Sequence, residues 1–388
     1  MVPLRYNIRN LVVRRTTTLA TAIGVGLVVF VIAAALMLNE GLSRALDQSG
    51  TPDVAIVLRK GSDSEMPSSI EDSTVSLIKA APGVKKSADG TPMVIAEAVV
   101  VMFQELANGR GKSNALLRGV PADVLTLRPE VKIVEGRLAK PGTDEAIVGK
   151  PLIARFKNVK LGQSIELRKN RTVTVVGVFE ADGASFESEI WGDIEYVRQS
   201  FGRDGVVQSV RVKLESPALF DGFAAAIEQD KRLGLEAMTE AEFYGKQSEN
   251  TSIFIIGIGT LVAVFFAIGA MIGAMITMYG AVANRKREIG VLRALGFSRS
   301  AVMFSFLLES TVLAVLGGAI GTVASLGMGM VKFSMMNFQT FSDMVFEFRP
   351  TPGILLFSLA CGGLMGIVGG FFPAVRAART PPIEAMKG

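Results

Sequence analysis

Residue types that commonly carry catalysis or bind metal ions are scarce in this chain. It contains no histidine, which removes the commonest general base and the commonest metal ligand. Its single cysteine, Cys361, lies inside an apolar stretch near the C-terminus, where a small buried side chain is the preferred interpretation. The sequence therefore predicts no catalytic residue and no cofactor or metal bound by this chain.

Two short segments resemble functional sites but fit them poorly. The segment 105–113 ends like a phosphate-binding loop, yet leucine stands at position 106, where that loop requires glycine. A second segment brings carboxylates close to the only tryptophan: Glu187, Glu189 and Asp193 around Trp191. A weak cation site is conceivable there, but a solvated acidic loop is the preferred interpretation.

The dominant feature of the sequence is apolar length. Of 388 residues 49% are hydrophobic, and the mean hydropathy is +0.40. A bilayer-crossing helix needs about 20 apolar residues, and four stretches reach that length, at 17–38, 251–283, 300–331 and 351–375. A cleaved signal peptide is the alternative for the first stretch, but signal peptides have an apolar core of about 7–15 residues, and this one is longer. We therefore expect four retained membrane spans rather than buried helices of a soluble protein.

The distribution of Lys and Arg predicts the orientation of these spans. Basic residues are concentrated before the first span, between the second and third, and after the fourth. The loop 332–350 between the third and fourth spans contains only Lys332 and Arg349. Because basic loops stay in the cytoplasm, we expect both termini (1–16 and 376–388) and the segment 284–299 to be cytoplasmic, and 39–250 to lie outside. The excess of basic residues behind the net charge of +5 thus lies in segments that flank the membrane, where it would face anionic lipid or a partner, and we do not expect nucleic-acid binding.

The outer segment predicts a mixed α/β domain. Strand patterns alternate with helical spacing in the parts 51–121 and 191–245, with one strand expected over 206–214. Between them, short β-branched runs punctuated by glycine predict a β-rich insertion at about 122–190. No proline occurs between residues 218 and 349, so a single helix is expected from about Glu240 to Ala283. Such a helix is far longer than a bilayer requires.

Small residues at four-residue spacing and one acidic residue mark the spans. Such spacing lets helix backbones approach closely in a membrane, and it predicts a tight bundle within the chain or across a dimer. The glycines concerned are Gly269 and Gly273, Gly317 and Gly321, and Gly362, Gly366 and Gly370. Glu309 lies within the third span, where a charge is costly, so we expect it to bond to a neighbouring helix.

Several segments together resemble one family. RKREIGVLRALGFS at 285–298, the ending FFPAVRAARTPPIEAMKG and the start RNLVVRRTTTLATAIGVGLVVF resemble the FtsX-like, MacB-type permease superfamily of ABC transporters. The stretch 134–167 is similar to the periplasmic domain of that family. The resemblance implies four transmembrane helices in the bacterial inner membrane, with a MacB-like periplasmic domain between the first and second. It does not extend to an ATPase domain on this chain or to a substrate.

The family resemblance also implies partners and a mechanism. Such permeases dimerise, with a second copy or a paralogue, and bind cytoplasmic ABC ATPase subunits that hold ATP and Mg²⁺. A periplasmic adaptor is a further candidate partner. Closure of the ATPases moves the long helices and reshapes the periplasmic domain (mechanotransmission), which drives export or extraction of envelope substrates. The alternatives are a non-transporting subunit that regulates an envelope enzyme, and a sensor or scaffold without a motor.

Within this resemblance, the segment 284–299 is the expected ATPase-coupling helix. Its side chains divide into an apolar edge and polar groups that would meet the ATPase: Ile289, Leu292 and Leu295 on the edge, and Arg285, Arg287, Glu288 and Arg293 as the polar groups. Gly296 suits the end of this helix. The alternative is a plain amphipathic helix lying on the lipid surface.

Overall fold

A computed structural model of the chain describes residues 15–230, 233–337 and 340–381. It divides into two compact units. The first, which we call the helical unit, consists of 1–41, 253–331 and 347–388, and the second, the sheet unit, of 42–252 and 332–346. The structure thus has the predicted fold class, apolar helices together with a mixed α/β domain. The expected cytoplasmic segments 1–16 and 376–388 lie largely or partly outside the described residues.

Nine α-helices are numbered here in chain order over the described residues. They are α1 (Arg15–Asp47), α2 (Asp72–Lys79), α3 (Lys150–Arg155), α4 (Ile194–Phe201), α5 (Phe220–Gln229), α6 (Glu240–Asn284), α7 (Lys286–Ala294), α8 (Arg299–Leu326) and α9 (Pro352–Arg379). Four of them, α1, α6, α8 and α9, are long and apolar enough to cross a membrane. The predicted helix from Glu240 to Ala283 is confirmed by α6.

Local sequence explains where the later helices begin. The Ser298 side chain accepts a hydrogen bond from the Ala301 amide at 3.1 Å and so caps α8. The Thr351 side chain accepts one from the Ile354 amide at 3.3 Å, with Pro352 in the first turn of α9. Both arrangements satisfy amide groups that the first helical turn leaves without partners.

Glycines set how closely α1, α8 and α9 approach one another. A methyl group at Gly317 or Gly321 would meet the backbone of α1 at Ala22 or Gly26, and one at Gly362 would meet Val29 at 2.9 Å. Gly366 and Gly370 lie similarly against the Ser310 region of α8. Five of the seven glycines named in the sequence analysis thus lie at close helix contacts within the chain.

The other two glycines do not contribute to packing within the chain. A methyl group at Gly269 or Gly273 would meet nothing within 4 Å among the described residues. Both lie on α6, whose large apolar side chains are mostly exposed, among them Ile253, Leu261, Phe265 and Ile276. This face of α6 is therefore open in the single chain.

The sheet unit contains most of the strands. In chain order they are β1 (Val54–Arg59), β2 (Ile70–Glu71), β3 (Val94–Glu105), β4 (Lys112–Val120), β5 (Lys132–Gly136), β6 (Glu145–Gly149), β7 (Ser164–Arg168), β8 (Arg171–Glu180), β9 (Glu189–Asp193), β10 (Val206–Val207), β11 (Ser209–Lys213), β12 (Leu235–Thr239), β13 (Lys332–Met336) and β14 (Asp343–Glu347). Ten of them form one sheet in the order β12-β1-β11-β3-β4-β9-β6-β8-β5, with β7 beside β8.

The single sheet extends across the predicted division of the outer domain. The strands of the expected insertion, β5 to β9, continue from β4 through a parallel β4–β9 pairing. The long hairpin β3–β4 joins both halves. The predicted strand over 206–214 is interrupted at Gln208, whose side chain accepts a hydrogen bond from the Val99 amide at 2.9 Å.

The predicted loop 332–350 is also more ordered than expected. It contains the antiparallel hairpin β13–β14, whose residues 332–346 belong to the sheet unit. The Val345 amide donates to the Ser188 hydroxyl at 2.9 Å, and Arg155 Nε donates to the Asp343 carboxylate at 3.1 Å. These long-range bonds give the hairpin a fixed place in the sheet unit.

Candidate functional site

The expected coupling segment forms the short helix α7. Arg285 alone separates α7 from α6, and Leu295 and Gly296 directly follow its last residue. Gly296 has a φ of +91°, a left-handed conformation that favours glycine at the end of a helix. Its amide donates to Arg293 O, and the Phe297 amide donates to Leu292 O, each at 3.2 Å.

One apolar residue anchors α7 to the rest of the helical unit. Ile289 is 1% exposed and packs in a cluster drawn from α6, α8 and α9, with Met278, Val282, Val302, Phe306, Ala374 and Ala377. Burial of such a side chain stabilises by about 1.5–3 kcal/mol. Ile289, one residue of the predicted apolar edge, therefore faces the helical unit and holds α7 in place.

The outward surface of α7 has a different composition. Val291 is 46% and Leu295 72% exposed, and Arg287 and Glu288 are exposed beside them. Because residues 287, 291 and 295 are spaced by four, they lie on one side of the helix. We call Arg287, Glu288, Val291 and Leu295 the α7 stripe. Of the predicted edge only Leu295 belongs to it.

Three other predicted residues of this segment are less accessible than expected. Leu292 is only partly exposed. Arg293 is partly buried, and its Nη1 donates to Phe297 O at 2.9 Å, beside the end of the helix. Arg285 is 4% exposed, so its side chain does not lie on the surface of the single chain.

Arg285 instead bonds to the acidic residue inside the third span. Its Nη1 donates to Glu309 Oε2 at 2.8 Å, and both side chains are almost fully buried. The guanidinium also lies 5.9 Å from the centre of the Phe306 ring. Glu309 was expected to bond to a neighbouring helix, and its partner is the residue that precedes α7, so the pair ties the start of α7 to α8.

The acidic segment around Trp191 does not form a cation site. Glu189 bonds to Arg118, Glu187 accepts the Gly183 amide at 2.9 Å, and Asp193 accepts the Tyr196 amide at 3.0 Å as the cap of α4. Among the described residues no group of His, Cys, Asp or Glu could hold a metal ion. The segment is neither a cation site nor a solvated loop, because Glu189 and Trp191 are buried in β9.

Glu189 is part of a buried charge network that the sequence analysis missed. Seven charged side chains of the sheet unit, each at most 7% exposed, bond to one another: Glu65, Glu97, Arg118, Arg128, Glu189, Arg211 and Glu240. A detectable signal exists in the sequence. Glu97, Arg118 and Arg211 each stand within an apolar run of a strand, and a charge in that position is buried only with a partner.

Arg118 and Arg211 hold the network together. Arg118 forms two hydrogen bonds of 2.7 Å to the carboxylate of Glu189 and two, of 2.9 and 3.0 Å, to that of Glu65. Arg211 bonds to Glu97, to Glu65 at 3.0 Å and, through Nε, to Glu240 at 2.7 Å. Paired bonds of this kind are stronger and more directional than single ones.

The network includes the first residue of α6. Besides its bond to Arg211, the Glu240 carboxylate accepts the Thr51 amide at 3.3 Å. Tyr244, one turn later, bonds through its hydroxyl to Arg211 Nη2 at 3.3 Å. Within the sheet unit, the start of the longest helix is therefore fixed to strand β11 by charge-assisted hydrogen bonds.

Electrostatics keeps the network ionised. Burial by itself would raise the pKa of the Glu65 carboxyl, but the charges of Arg118 and Arg211 outweigh burial and hold this pKa well below its ordinary value. Burial opposes ionisation of Glu97 too, and Arg128, Arg211 and Arg118 lower its pKa in the same way. The pKa of the Arg118 guanidinium is raised, against the effect of burial, chiefly by Glu189.

Comparison with known families and proteins covers nearly the whole chain. A family model described as MacB-like periplasmic core domain matches residues 16–230, and one described as FtsX-like permease C-terminal matches residues 260–382. The uncharacterized ABC transporter permease YknZ of Bacillus subtilis is 25% identical over 96% of this chain and 94% of its own length. The macrolide export ATP-binding/permease protein MacB of Burkholderia thailandensis is 32% identical over 58% of this chain.

The chain spans only part of the MacB relatives. It covers 35% of the Burkholderia protein and 18% of a MacB from Yersinia pestis. Among solved structures, the periplasmic region of MacB from Actinobacillus actinomycetemcomitans aligns over 50% of this chain and 92% of that one, with 14% identity and a TM-score of 0.38. The extracellular domain of YknZ aligns with a TM-score of 0.37 and 20% identity.

The family assignment rests on two matches that follow one another along the chain. The first model covers α1 and the outer segment up to residue 230, and the second covers the later part of α6 and all of α7, α8 and α9. The segments that carried the resemblance in the sequence lie within these matches or overlap them. The chain belongs to the FtsX-like, MacB-type family of ABC transporter permeases.

Proposed function

We propose that this chain is the permease subunit of an ABC transporter whose ATPase is a separate cytoplasmic protein. ATP and Mg²⁺ would be held by that partner. Hydrolysis would move α1 and α6 and so change the conformation of the sheet unit, which we place in the periplasm. Both termini would be cytoplasmic. We favour export over regulation of an envelope enzyme, because the MacB relatives carry macrolide export in their names.

The α7 stripe is the observation that carries the proposal. Two apolar side chains, Val291 and Leu295, stay largely exposed beside the charged Arg287 and Glu288. Ile289 and the Arg285–Glu309 pair hold the same short helix against the bundle from its other side. A small apolar centre with charged neighbours on a fixed helix is the kind of surface that a partner protein buries.

Two further features support transmission along the chain. The continuous helix α6 contributes residues to both units, and the charge network holds its first residue to β11. At the other end of α1, Leu42 and Leu46 are fully buried in the sheet unit. Movement of either helix along its axis would thus act on packed, hydrogen-bonded groups of the sheet unit.

The open face of α6 supports a second copy as a partner. Gly269 and Gly273 have space around them, and the neighbouring side chains are large and apolar. Small residues at this spacing favour close helix contacts in lipid. We propose that two permease subunits associate in the membrane.

A co-purification experiment tests the ATPase-coupling proposal. The chain would be expressed with the ABC ATPase encoded nearest to it, carrying Val291→Ser and Leu295→Ser together. Loss of two partly buried apolar contacts, each of about 1.5–3 kcal/mol at most, should reduce ATPase recovery at least about tenfold and abolish stimulation of hydrolysis by the permease. Leu77→Ser is the control, because Leu77 is also exposed, at 56%, but belongs to the sheet unit.

The control separates docking from general effects of surface polarity. We expect Leu77→Ser to leave ATPase recovery unchanged. If the α7 double variant recovers as much ATPase as the control and supports the same hydrolysis, α7 is only an interfacial helix and the proposal is wrong.

A further inference from the structure

The sheet unit contains a large cavity whose lining includes no residue of α7 and no member of the charge network. Its volume is about 800 Å³, within the range of small-molecule sites (roughly 300–1,000 Å³). It lies among the loop 61–67 that follows β1, strand β12, the first turns of α6, and the tip of the β13–β14 hairpin. Four separate elements thus converge on one concave surface.

Acidic groups dominate the charge of this cavity. Its charged lining residues are Asp63, Glu236, Glu249 and Lys246. The Lys246 ammonium is paired with the carboxylate of Glu242, one turn earlier, at 2.9 Å, so its positive charge is largely compensated. Three carboxylates remain around the opening, and Asp63 and Glu249 are exposed.

Part of the cavity wall is apolar and contains two aromatic rings. Met66 and Met238 contribute thioethers, and Phe243 and Phe341 contribute phenyl groups. Phe243 is 3% and Phe341 55% exposed, so one ring belongs to the packed wall and the other remains open to solvent. Methionine side chains adapt to irregular ligands, and aromatic faces attract cations.

We propose that this cavity binds a small amphipathic cation, with an ammonium or guanidinium group near the three carboxylates and an apolar body against Phe341 and the two methionines. The net negative charge of the lining disfavours binding of an anion of the same shape. A small hydrated cation has no apolar body to contact Phe341 and the two methionines, so we expect it to bind more weakly than an amphipathic one.

A binding experiment with matched probes tests this inference. The full chain in nanodiscs of zwitterionic lipid would be titrated with 4-phenylbutylammonium at pH 7, and empty nanodiscs would supply the background from partition into lipid. We expect saturable binding that is at least about tenfold tighter, or about 1.4 kcal/mol, than binding of neutral 4-phenylbutanol or of 4-phenylbutyrate. Butylammonium, which lacks the ring, should bind at least as weakly as these.

Variants locate the binding. A triple variant that neutralises the three cavity carboxylates carries Asp63→Asn, Glu236→Gln and Glu249→Gln. It should bind 4-phenylbutylammonium about tenfold or more weakly and bind 4-phenylbutanol with unchanged affinity. Asp221→Asn, Glu166→Gln and Glu215→Gln remove the same total charge from exposed positions outside the cavity, and should have no effect. Phe341→Gly should weaken the binding of both 4-phenylbutylammonium and 4-phenylbutanol. Glycine readily adopts the positive φ of +53° found at this position.

Three results would overturn the proposal. They are the absence of saturable binding above empty nanodiscs, equal affinity for the alcohol and the ammonium, and equal losses in the cavity and control triple variants. Because the assay contains no ATPase, its outcome is independent of the proposed coupling through α7.

Discussion

Each side chain of the charge network depends on its partners to stay buried and charged. Arg118, Arg128 and Arg211 all place a guanidinium nitrogen against the carboxylate of Glu97, which is 0% exposed. Removing one member of a buried ion pair typically costs about 3–5 kcal/mol, since the remaining charge stays buried. Glu97 is therefore the residue at which the network is most sensitive to substitution.

The lowered pKa values of Glu65 and Glu97 predict the pH dependence of stability. A carboxyl whose pKa is lower in the folded than in the unfolded state stabilises at neutral pH, and this stabilisation is lost as the pH falls below the ordinary value near 4.5. We expect the melting temperature to fall between about pH 5 and pH 3. Glu97→Gln should melt about 6–12 °C lower at pH 7 and show a weaker decline in acid.

The single tryptophan provides the measurement. Trp191 is fully buried and its indole N–H donates to Glu189 at 2.8 Å, so its fluorescence follows unfolding of the sheet unit. Glu166→Gln, at an exposed position on β7, is the control and should melt like the unchanged chain at every pH. A Glu97→Gln variant with an unchanged melting temperature at pH 7 would contradict a stabilising network.

At the scale of elements, the glycines decide which helices pack together. Gly317 and Gly321 bring α8 against α1, and Gly362 brings α9 against both. Glycine is unfavourable in a helix interior, by about 1 kcal/mol relative to alanine in water. It is retained here where close approach of backbones requires it.

Two alanine substitutions separate packed from open glycines. Gly321→Ala would place a methyl group against the Gly26 carbonyl oxygen, and overpacking of this kind costs about 1–3 kcal/mol. Gly24→Ala, on α1, would meet nothing within 4 Å and should not destabilise the chain. The measurement is the fraction of detergent-solubilised chain that stays monodisperse after heating. Equal losses in the two variants would argue against the α1–α8 contact.

Elements could be predicted from the sequence more completely than the contacts between them. Charge-free runs and the lack of proline predicted the four long helices and the start of α6 at Glu240. The hairpin β13–β14 was missed because its strands are short and carry no clear alternation. The partner of Arg285 could not be predicted either, since Glu309 is distant in sequence and only the fold brings them within 2.8 Å.

The short helix of the candidate site was predicted in position but not in detail, and its role in ATPase coupling, which the family resemblance implies, stays a prediction. A helix within 284–299, with Gly296 as its end, followed from spacing and turn chemistry. The side of α7 that faces outward did not, because the segment has apolar residues on both sides. Ile289 and Val291 are equally apolar, and only packing against α6, α8 and α9 makes the first buried and the second exposed.

For the whole molecule, the central prediction is its orientation in the membrane. Basic residues are concentrated near α7 and the chain termini, and the loop between α8 and α9 has few, which predicts that α7 lies in the cytoplasm. In a Cys361→Ala background, a cysteine at Ser69 should react with an impermeant maleimide in intact cells. One at Ser300 should react only after permeabilisation. Both positions are exposed. Labelling of Ser300 in intact cells would reverse the orientation.

The hairpin between α8 and α9 determines which segments must be exchanged together in a chimera of this protein. Residues 332–346 lie far along the chain, yet they belong to the sheet unit and bond to Ser188 and Arg155. A chimera that exchanges only 42–252 with another permease would break these bonds. The sheet unit is therefore formed by two separate segments of the chain. A chimera that keeps it intact must exchange 332–346 together with 42–252.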